Sequence, residues 1–530
     1  MKIFFNHRTV VVCFALCLNA CVQTPISTSD TGREKSYTFA QPRNPYASLP
    51  SDVLTHCQQV YIEYSQQHFA KVADLARECL SYNDLPVEIR SAQEQILATA
   101  DVSLNQYVEA IDAENRSIEL TPKPSDGQLL ILANAYRGAH RYEESLATFD
   151  RLYTEHETMH DSTTALGMPY YFNRGSTLAE MGRWHDAIQA FTLGIPYQPA
   201  FPAVYLKRAQ AREAIGDVAD ARDDYVEFAR WATTRGVDAS TRAKLASLNV
   251  DREAEHRRPF GDRNPLRDEW ACHLLQAQQA LQSATTPDAR AAAFSTISDS
   301  LDSLERSEEA LTAINQAIKL TPDSILYLQS KVTTLLSLNR PHDAIAFGAP
   351  LRKRAHEEAD AAASSGPVYG KYVEASGSSA FAYMELGDWD QAIDAFADTA
   401  RGSGPSDQDY LATYYLYVRA RGGDHAHANE LFDNVIRHAT QPIFGNYRRS
   451  LLLYWQGQAT LDQVEEQISM IRDDVARQNA LAETLYLAGA YLKYVKHDVA
   501  GTSECLLRIN ALAPYGTTDW MLAKRDLTPG

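Results

Sequence analysis

The chain has 530 residues, of which 45% are hydrophobic and 22% charged, and its formal net charge at pH 7 is -18. This length exceeds what one hydrophobic core usually supports, so we expect several domains or a repeat array. The acidic charge argues against nucleic-acid binding, which needs basic side chains to neutralise phosphates. It favours basic partners, although solvated helix faces explain the same charge.

Residues 1–20 have the form of a bacterial lipoprotein signal peptide. Lys2 and Arg8 supply positive charge, and the apolar run 9–18 is too short to cross a bilayer stably. The segment closes on Leu-Asn-Ala-Cys, which resembles the lipobox, so we expect cleavage before the Cys and acyl chains such as palmitate on Cys21. The alternative is an ordinary secretory signal in which Cys21 is incidental. Either interpretation predicts export.

Residues 21–50 are predicted to be a flexible tether. The stretch 22–46 is rich in Ser, Thr, Pro and Gln and has no apolar period. Acyl chains on Cys21 would hold a soluble body at a membrane without a spanning helix. Val22 is not the Asp that retains such lipoproteins at the inner membrane, so the resemblance implies lipid anchoring in the outer membrane, on the periplasmic side.

One pattern of glycine, aromatic and small residues recurs along the body of the chain. It occurs at Gly182, Trp184, Ala187 and Phe191, and again at Gly387, Trp389, Ala392 and Phe396. The pattern resembles the tetratricopeptide repeat, a unit of about 34 residues that forms a helix, a turn and a second helix. The resemblance implies an all-α chain folded as an α-solenoid of such repeats in two blocks.

Each residue type of the repeat has a packing role. Small side chains at Gly175 and Ala187 let the two helices of a repeat approach to about 8 to 10 Å. Gly182 supplies the turn between those helices. Trp184 and Phe191 are expected to fill the groove between neighbouring repeats. The matching residues of the second block are expected to have the same roles: Trp389, Ala392 and Phe396.

Small residues in the second helix of each repeat fall into two sets, with insertions in the repeat spacing at 155–167, 355–366 and 401–407. The sets are Ala110, Ser145, Ala187 and Ala221, then Ala310, Ala344, Ala392 and Ala428. The segment 252–268 between them is highly charged and poor in apolar residues, which predicts a boundary between two solenoid halves. The predicted domains are a first repeat block at 51–235, a linker at 236–268, a second block at 269–440 and C-terminal helical repeats at 441–530.

The C-terminal part resembles one particular group of tetratricopeptide-repeat lipoproteins. Residues 454–457 (Tyr-Trp-Gln-Gly) and 482–492, which open with Ala-Glu-Thr-Leu-Tyr, are similar to the closing repeats of NlpI-type outer-membrane lipoproteins. Lys496 and Gly501 depart from that family's turn Gly and packing Ala, which predicts an irregular last repeat. The resemblance implies a lipid-anchored scaffold that holds envelope enzymes, such as cell-wall hydrolases and proteases, near the peptidoglycan.

The sequence carries few patterns of catalysis or metal binding. No nucleophile elbow, His-Glu-x-x-His motif or glycine-rich dinucleotide turn occurs. His425 and His427 lie two residues apart, which on a helix turns them to different faces and argues against a metal site. We therefore predict no enzyme, no cofactor and no metal. Cys57 and Cys79 fall on the two predicted helices of the first repeat, where a disulfide and two free thiols both remain open.

The inner groove, lined by the first helix of each repeat, is the expected binding surface. The repeat register places these mostly polar side chains there: Asn134, Asn173, Ser176, Glu180, Lys207 and Gln210 in the first half, and Gln329, Ser330, Thr333, Phe381 and Glu385 in the second. Leu130, Phe172 and Leu206 stand where chaperone-binding members of the family need Lys, so their clamp for a C-terminal carboxylate is not expected. A hydrated inner face without a ligand is the alternative for each residue.

These features together predict a lipid-anchored, periplasm-facing scaffold or adaptor that binds proteins or peptides of the cell envelope. Two alternatives remain. One is an assembly factor for an outer-membrane machine or a pilus, and the other is an envelope enzyme with an unrecognised site. Nucleic acid is not an expected partner.

Overall fold

The structure, a computed structural model, describes residues 49–65, 67–155, 166–233, 236–362 and 364–528. The predicted signal peptide, the lipidation site Cys21 and the tether as far as residue 48 lie outside the described residues. Within the described ranges every regular element is a helix and no strand occurs, which confirms the predicted all-α fold. No helix in this part of the chain is both long and apolar enough to span a membrane.

The chain divides into two compact units. The N-terminal unit contains the described residues up to 197 together with 207–221, and the C-terminal unit contains 198–206 and the described residues from 222 onward. The helices up to the division are α1 Ser51–Ser65, α2 Phe69–Leu80, α3 Val87–Ser103, α4 Tyr107–Glu119, α5 Asp126–Gly138, α6 Tyr142–Glu155, α7 Gly167–Glu180, α8 Trp184–Gly194, α9 Pro202–Ala214 and α10 Val218–Trp231.

The C-terminal unit continues with helices of the same kind. They are α11 Ala239–Ser247, α12 Arg252–Arg257, α13 Pro265–Ser283, α14 Pro287–Ser303, α15 Ser307–Leu320, α16 Ile325–Ser337, α17 Pro341–Asp360, α18 Gly366–Lys371, α19 Val373–Leu386, α20 Trp389–Arg401, α21 Pro405–Gly422, α22 Glu430–His438, α23 Tyr447–Trp455, α24 Leu461–Ile468, α25 Asp474–Tyr491, α26 Val499–Leu512 and α27 Thr518–Asp526. A π-helical turn, Leu492–Lys496, follows α25, where the sequence predicts irregularity.

The turns inside the repeats pass through left-handed backbone. Gly182 has φ 76° between α7 and α8, as its predicted turn role requires, and Gly387 has φ 73° between α19 and α20. A glycine adopts this conformation without the steric cost that a Cβ atom brings. Asn105 and Asn339 take the same left-handed conformation in other repeats, at φ 60° and 56°. The turn geometry is therefore shared even where the glycine is not.

Small residues let the paired helices α7 and α8 approach closely. A Cβ atom at Gly175 would lie 2.7 Å from the ring of Phe191, and Ala187 is fully buried. Phe191 therefore packs against its own partner helix, with its ring centroid 6.0 Å from that of Phe172. Trp184 is only half-buried.

The matching residues of the second block are buried to the same extent. Ala392 and Phe396 are fully buried on α20, while Trp389 is half-buried. The ring of Phe396 meets Phe381 on its partner helix α19 at 5.2 Å and stacks on Tyr414 of α21 at 5.5 Å. Here the aromatic side chain does join one repeat to the next.

A disulfide joins the first two helices. Cys57 on α1 and Cys79 on α2 are bridged, with their Cα atoms 5.2 Å apart, and both side chains are fully buried. The sequence left open whether these cysteines form a disulfide or stay as free thiols, and the structure has the disulfide. The bond closes a loop across α1 and α2, which pack on each other.

Replacing both bridged cysteines with alanine is expected to lower the stability of the N-terminal unit by about 3 kcal/mol, because the bridge restricts the unfolded chain. Urea unfolding of the double variant Cys57→Ala, Cys79→Ala measures this loss. Cys272→Ala is the matched control, since Cys272 is exposed and unbridged. Equal unfolding midpoints for the double variant and the control would contradict a stabilising bridge.

The segment predicted as a linker, 236–268, is part of the C-terminal unit. Arg257 of α12 pairs with Glu504 of α26 at 2.7 Å. Asn264 donates to the carbonyl oxygen of Ala513 at 2.8 Å, and the backbone N–H of Leu266 donates to Gln478 of α25 at 2.9 Å. The predicted linker is thus wrong: the polar side chains that suggested it are the ones that bind the segment to the last helices.

Candidate interaction surfaces

The predicted groove residues of the N-terminal unit lie on α5, α7 and α9. Asn134 on α5 has a buried Oδ1 atom that accepts no hydrogen bond within the described part of the chain. One turn further, Arg137 donates to Glu180 of α7 at 2.8 Å, so the two helices are tied beside that atom. Lys207 and Gln210 are exposed on α9. At this surface Lys207 offers a cation and Gln210 an amide, while the Oδ1 atom of Asn134 is not open to solvent.

Two predicted groove residues of α7 bond to their own helix. Asn173 is half-buried and donates through Nδ2 to the carbonyl oxygen of Pro169 at 2.8 Å. Ser176 is 4% exposed and donates to the carbonyl oxygen of Phe172 at 2.8 Å. The burial of Ser176 does not fit a groove face open to solvent, because a serine hydroxyl in a helix readily bonds the carbonyl four residues earlier.

The predicted groove residues of the C-terminal unit are inside the fold. Gln329 is 5% exposed, donates to the carbonyl oxygen of Lys371 at 3.2 Å and accepts from the N–H of Ala375 at 3.0 Å. Thr333 is 2% exposed and hydrogen-bonds Ser378 at 2.8 Å. These side chains tie α16 to α18 and α19. Their assignment to an accessible groove is corrected, because buried polar groups need internal partners.

Helix α27 covers part of the same predicted face. Arg525 pairs with Glu385 of α19 and donates to the carbonyl oxygens of Leu336 and Ser337 of α16, at 3.3 and 3.1 Å. Lys524 pairs with Glu305, in the turn after α14. Helix α27 therefore contacts α16, α19 and the turn after α14, which belong to three successive helix pairs. We call the surface that receives it, on α16, α19, α21 and α25, the α27 seat.

The acidic residues of α27 accept hydrogen bonds from tyrosines of α21 and of the turn after α25. Asp519 accepts from Tyr414 of α21 at 2.8 Å and from Tyr410 at 3.2 Å. Asp526 accepts from Tyr417 at 3.0 Å and from Tyr494 at 2.5 Å. Burial, and then the nearby carboxylate of Glu483, raise the pKa of Asp519 to about 7, although the two tyrosine hydroxyls oppose the shift.

A charged cluster joins four further helices of the C-terminal unit. Glu465 of α24 lies 2.7 Å from Arg508 of α26 and 3.2 Å from Nε2 of His256 on α12. Nδ1 of His256 lies 3.0 Å from the carbonyl oxygen of Arg230 on α10. Although burial opposes it, Arg508 and His256 hold the pKa of Glu465 well below its ordinary value. Both ring nitrogens of His256 therefore face oxygen atoms of neighbouring helices.

The cleft beside this cluster is small. Its volume is about 20 Å³, which is room for about one water molecule. Apolar side chains complete the lining: Trp231, Pro259, Ile468, Leu481, Leu485 and Leu512. The cluster therefore fastens α10, α12, α24 and α26 together and leaves little space for a substrate.

The two histidines considered as metal ligands have separate environments. His427 lies between two carboxylates of α20, with Nδ1 3.0 Å from Asp390 and Nε2 3.2 Å from Asp394. His425 belongs to a short 3-10 turn, Gly423–His425, rather than to an α-helix. Across the residues that the structure describes, no group of three or more His, Cys, Asp or Glu side chains is placed to hold a metal ion.

Family models identify the repeat. Two tetratricopeptide-repeat models match the chain, one over residues 291–324 and one over 379–401. The first match spans α14 and α15, and the second covers the end of α19 and all of α20. No curated protein sequence matches the chain.

Several solved structures are similar to this chain at low identity. A thermophilic TPR protein of Thermus thermophilus is 16% identical with a TM-score of 0.30, over 38% of this chain and 100% of that one. The Cut9–Hcn1 hetero-tetramer of the APC/C is 12% identical with a TM-score of 0.29, over 88% of each chain. A tetratricopeptide repeat protein of Parabacteroides merdae is 9% identical with a TM-score of 0.23, over 66% of this chain and 98% of that one.

The family models and the paired helices both indicate tetratricopeptide repeats. Helix-turn-helix units of tetratricopeptide type recur along the chain and form a helical solenoid. Such repeats are generally non-catalytic and imply a scaffold with protein partners. The chain therefore carries tetratricopeptide repeats and has the architecture of a protein-interaction scaffold.

Proposed function

We propose that the protein is a lipid-anchored scaffold of the outer membrane, facing the periplasm, that binds envelope proteins through the N-terminal unit. The observation that carries the binding surface is the exposure of Lys207 and Gln210 on α9, in the unit whose helices α5 and α7 carry the half-buried amides of Asn134 and Asn173. The ammonium group of Lys207 and the amide of Gln210 can hydrogen-bond the backbone of a bound segment.

The surroundings of Asn134 suit an extended or helical protein segment. Asn173 presents a half-buried amide on the neighbouring helix α7, and Lys207 and Gln210 are exposed on α9. The ion pair of Arg137 and Glu180 links α5 to α7 at this surface. The C-terminal unit is the weaker candidate for partners, because α27 lies on its corresponding face.

Three sequence features support the proposed location. The signal segment and the Leu-Asn-Ala-Cys ending at Cys21 favour lipidation, and Val22 favours the outer membrane. The buried disulfide of Cys57 and Cys79 supports export, because disulfides persist in oxidising compartments and are rare in the cytosol. Cell-wall enzymes and proteases are the partners that the NlpI-type resemblance favours.

Replacing Cys21 with alanine is expected to move the protein from the membrane fraction to the soluble periplasm. The apolar run of the signal is too short to be a stable anchor, so acyl chains are the proposed attachment. Fractionation of cells, followed by mass spectrometry of the N-terminal peptide, measures both attachment and acylation. A cleaved variant without acyl chains that still sediments with lipid would contradict the anchor.

The double variant Asn173→Arg, Lys207→Glu is expected to lose the native partners of the scaffold. It places a long cation and a reversed charge on the proposed surface. Crosslinking pull-down from the native envelope measures capture. The matched control is Gln189→Arg, Lys319→Glu, which makes the same charge changes at exposed positions of α8 and α15. If the test variant keeps every crosslinked partner, this surface is not the binding site.

A further inference from the structure

A glutamate occupies a core packing position of helix α4. In five other second helices, the residue four positions after the recurring small residue is apolar or aromatic and at most 2% exposed: Phe149, Phe191, Tyr225, Ile314 and Phe396. Helix α17 has Gly348 at this position. Helix α4 has Glu114, four residues after Ala110, and the side chain of Glu114 is fully buried. The fold therefore encloses a carboxyl group where the repeat pattern calls for an apolar side chain.

The carboxyl group of Glu114 has no hydrogen-bond partner. Neither of its oxygen atoms bonds to any group of the residues that the structure describes. The side chain of Glu94 on α3 is 6% exposed and already binds Arg116, at 2.9 and 3.0 Å. Burial, and then the negative charge of Glu94, raise the pKa of Glu114 well above its ordinary value.

The helices packed on α4 supply no cation to Glu114. These helices are α3 and α5. Asp101 of α3 binds Arg77 at 2.8 Å, and Arg90 donates to the carbonyl oxygens of Leu80 and Tyr82. On α5, Arg137 binds Glu180 of α7. The remaining charged groups of the two helices are acids in their first turns, Glu88 and Asp126.

We propose that the helix pair α3–α4 is a pH-sensitive element of the N-terminal unit, which stays closed only while Glu114 carries a proton. Ionisation would leave a buried charge with neither a counter-ion nor water, and such a charge is costly. Opening of the pair lets water reach the carboxylate. Helix α5, which carries Asn134, packs on both α3 and α4, so opening also disturbs the proposed binding surface. This last step rests on the proposed function.

Hydrogen exchange of the full chain at pH 5 and pH 8 tests the element. A group whose pKa is raised on folding contributes stability that is lost as the pH rises through its folded pKa. Glu114→Gln keeps the shape of the protonated carboxyl group and cannot ionise. At pH 5 the amides of α3 and α4 should exchange equally in wild type and variant. At pH 8 they should exchange at least about tenfold faster in the wild type.

Two further variants complete the test. Glu109→Gln makes the same change at an exposed position of α4 and should exchange like the wild type at both pH values. Glu114→Leu restores an apolar side chain and should also slow the exchange of α3 and α4 at pH 8, which decides the matter if Glu114→Gln does not fold.

The same exchange data can overturn the proposal in two ways. One is an equal change between pH 5 and pH 8 in the wild type and the Glu114 variants. The other is equally faster exchange of α13 and α14 in the wild type at pH 8, which would mean global unfolding instead of local opening. No partner protein takes part in these measurements, so neither result bears on the Asn173 and Lys207 surface.

Discussion

The substitution Ala187→Arg is expected to unfold the repeat formed by α7 and α8, with a loss of more than about 4 kcal/mol. Ala187 is fully buried, and the partner helix is already so close that a Cβ atom at Gly175 would overlap Phe191. A long charged side chain has no space there and no partner for its charge. Neighbouring repeats should be destabilised as well, since α7 also packs on α5 and α6 of the preceding pair.

Circular dichroism melts and limited proteolysis measure this loss. The matched control is Gln189→Arg, which adds the same side chain two residues further along α8 at an exposed position. The control should melt within about 0.5 kcal/mol of the wild type, as surface substitutions usually do. A wild-type melt for Ala187→Arg would mean that the assigned repeat register is wrong.

Local features of the fold could be predicted from the sequence. The left-handed turn at Gly182, the close helix crossing at Ala187 and the contact of Phe396 with the next repeat follow from steric rules within one repeat unit. Such rules depend on residues that are at most one repeat apart, so a recurring pattern reveals them.

Contacts between distant parts of the chain could not be predicted in the same way. The pairing of Arg257 with Glu504, 247 residues apart, makes a charged segment part of the fold, although its composition suggested a linker. The burial of Gln329 and Thr333 depends on α18 and α19, and the seating of α27 depends on tyrosines of α21. Charged residues and tyrosines occur both on solvated helix faces and at contacts between distant helices. The periodicity of the sequence therefore does not tell which of these two environments such a residue has.

The C-terminal unit is expected to lose stability as the pH rises from about 5 to about 8. Asp519 is buried between Tyr410 and Tyr414 of α21, with Glu483 of α25 nearby, and its pKa is raised to about 7. Arg448 of α23 lies 2.6 Å from Glu483 and partly offsets that second charge. The folded state therefore favours the protonated form of Asp519 more than the unfolded chain does, where an aspartate has a pKa of about 3.9.

The sign of the effect follows from this difference. A group whose pKa is raised on folding contributes stability that is complete below its unfolded pKa and is lost as the pH passes through the folded pKa. A shift of about three pKa units corresponds to at most about 4 kcal/mol between the two limits. Asp519→Asn should remove most of this dependence, because the amide oxygen still accepts from the tyrosines and the side chain cannot ionise.

Urea unfolding at pH 5 and pH 8 measures the effect. The difference between the two pH values should be larger for the wild type than for Asp519→Asn, and the variant should be the more stable protein at pH 8. Asp462→Asn on α24 is a control for the loss of one acidic group from the same unit, at a position that is half-buried rather than fully enclosed. Equal pH dependence in the wild type and Asp519→Asn would mean that Asp519 stays ionised in the fold, and that the tyrosine hydroxyls outweigh both burial and the charge of Glu483.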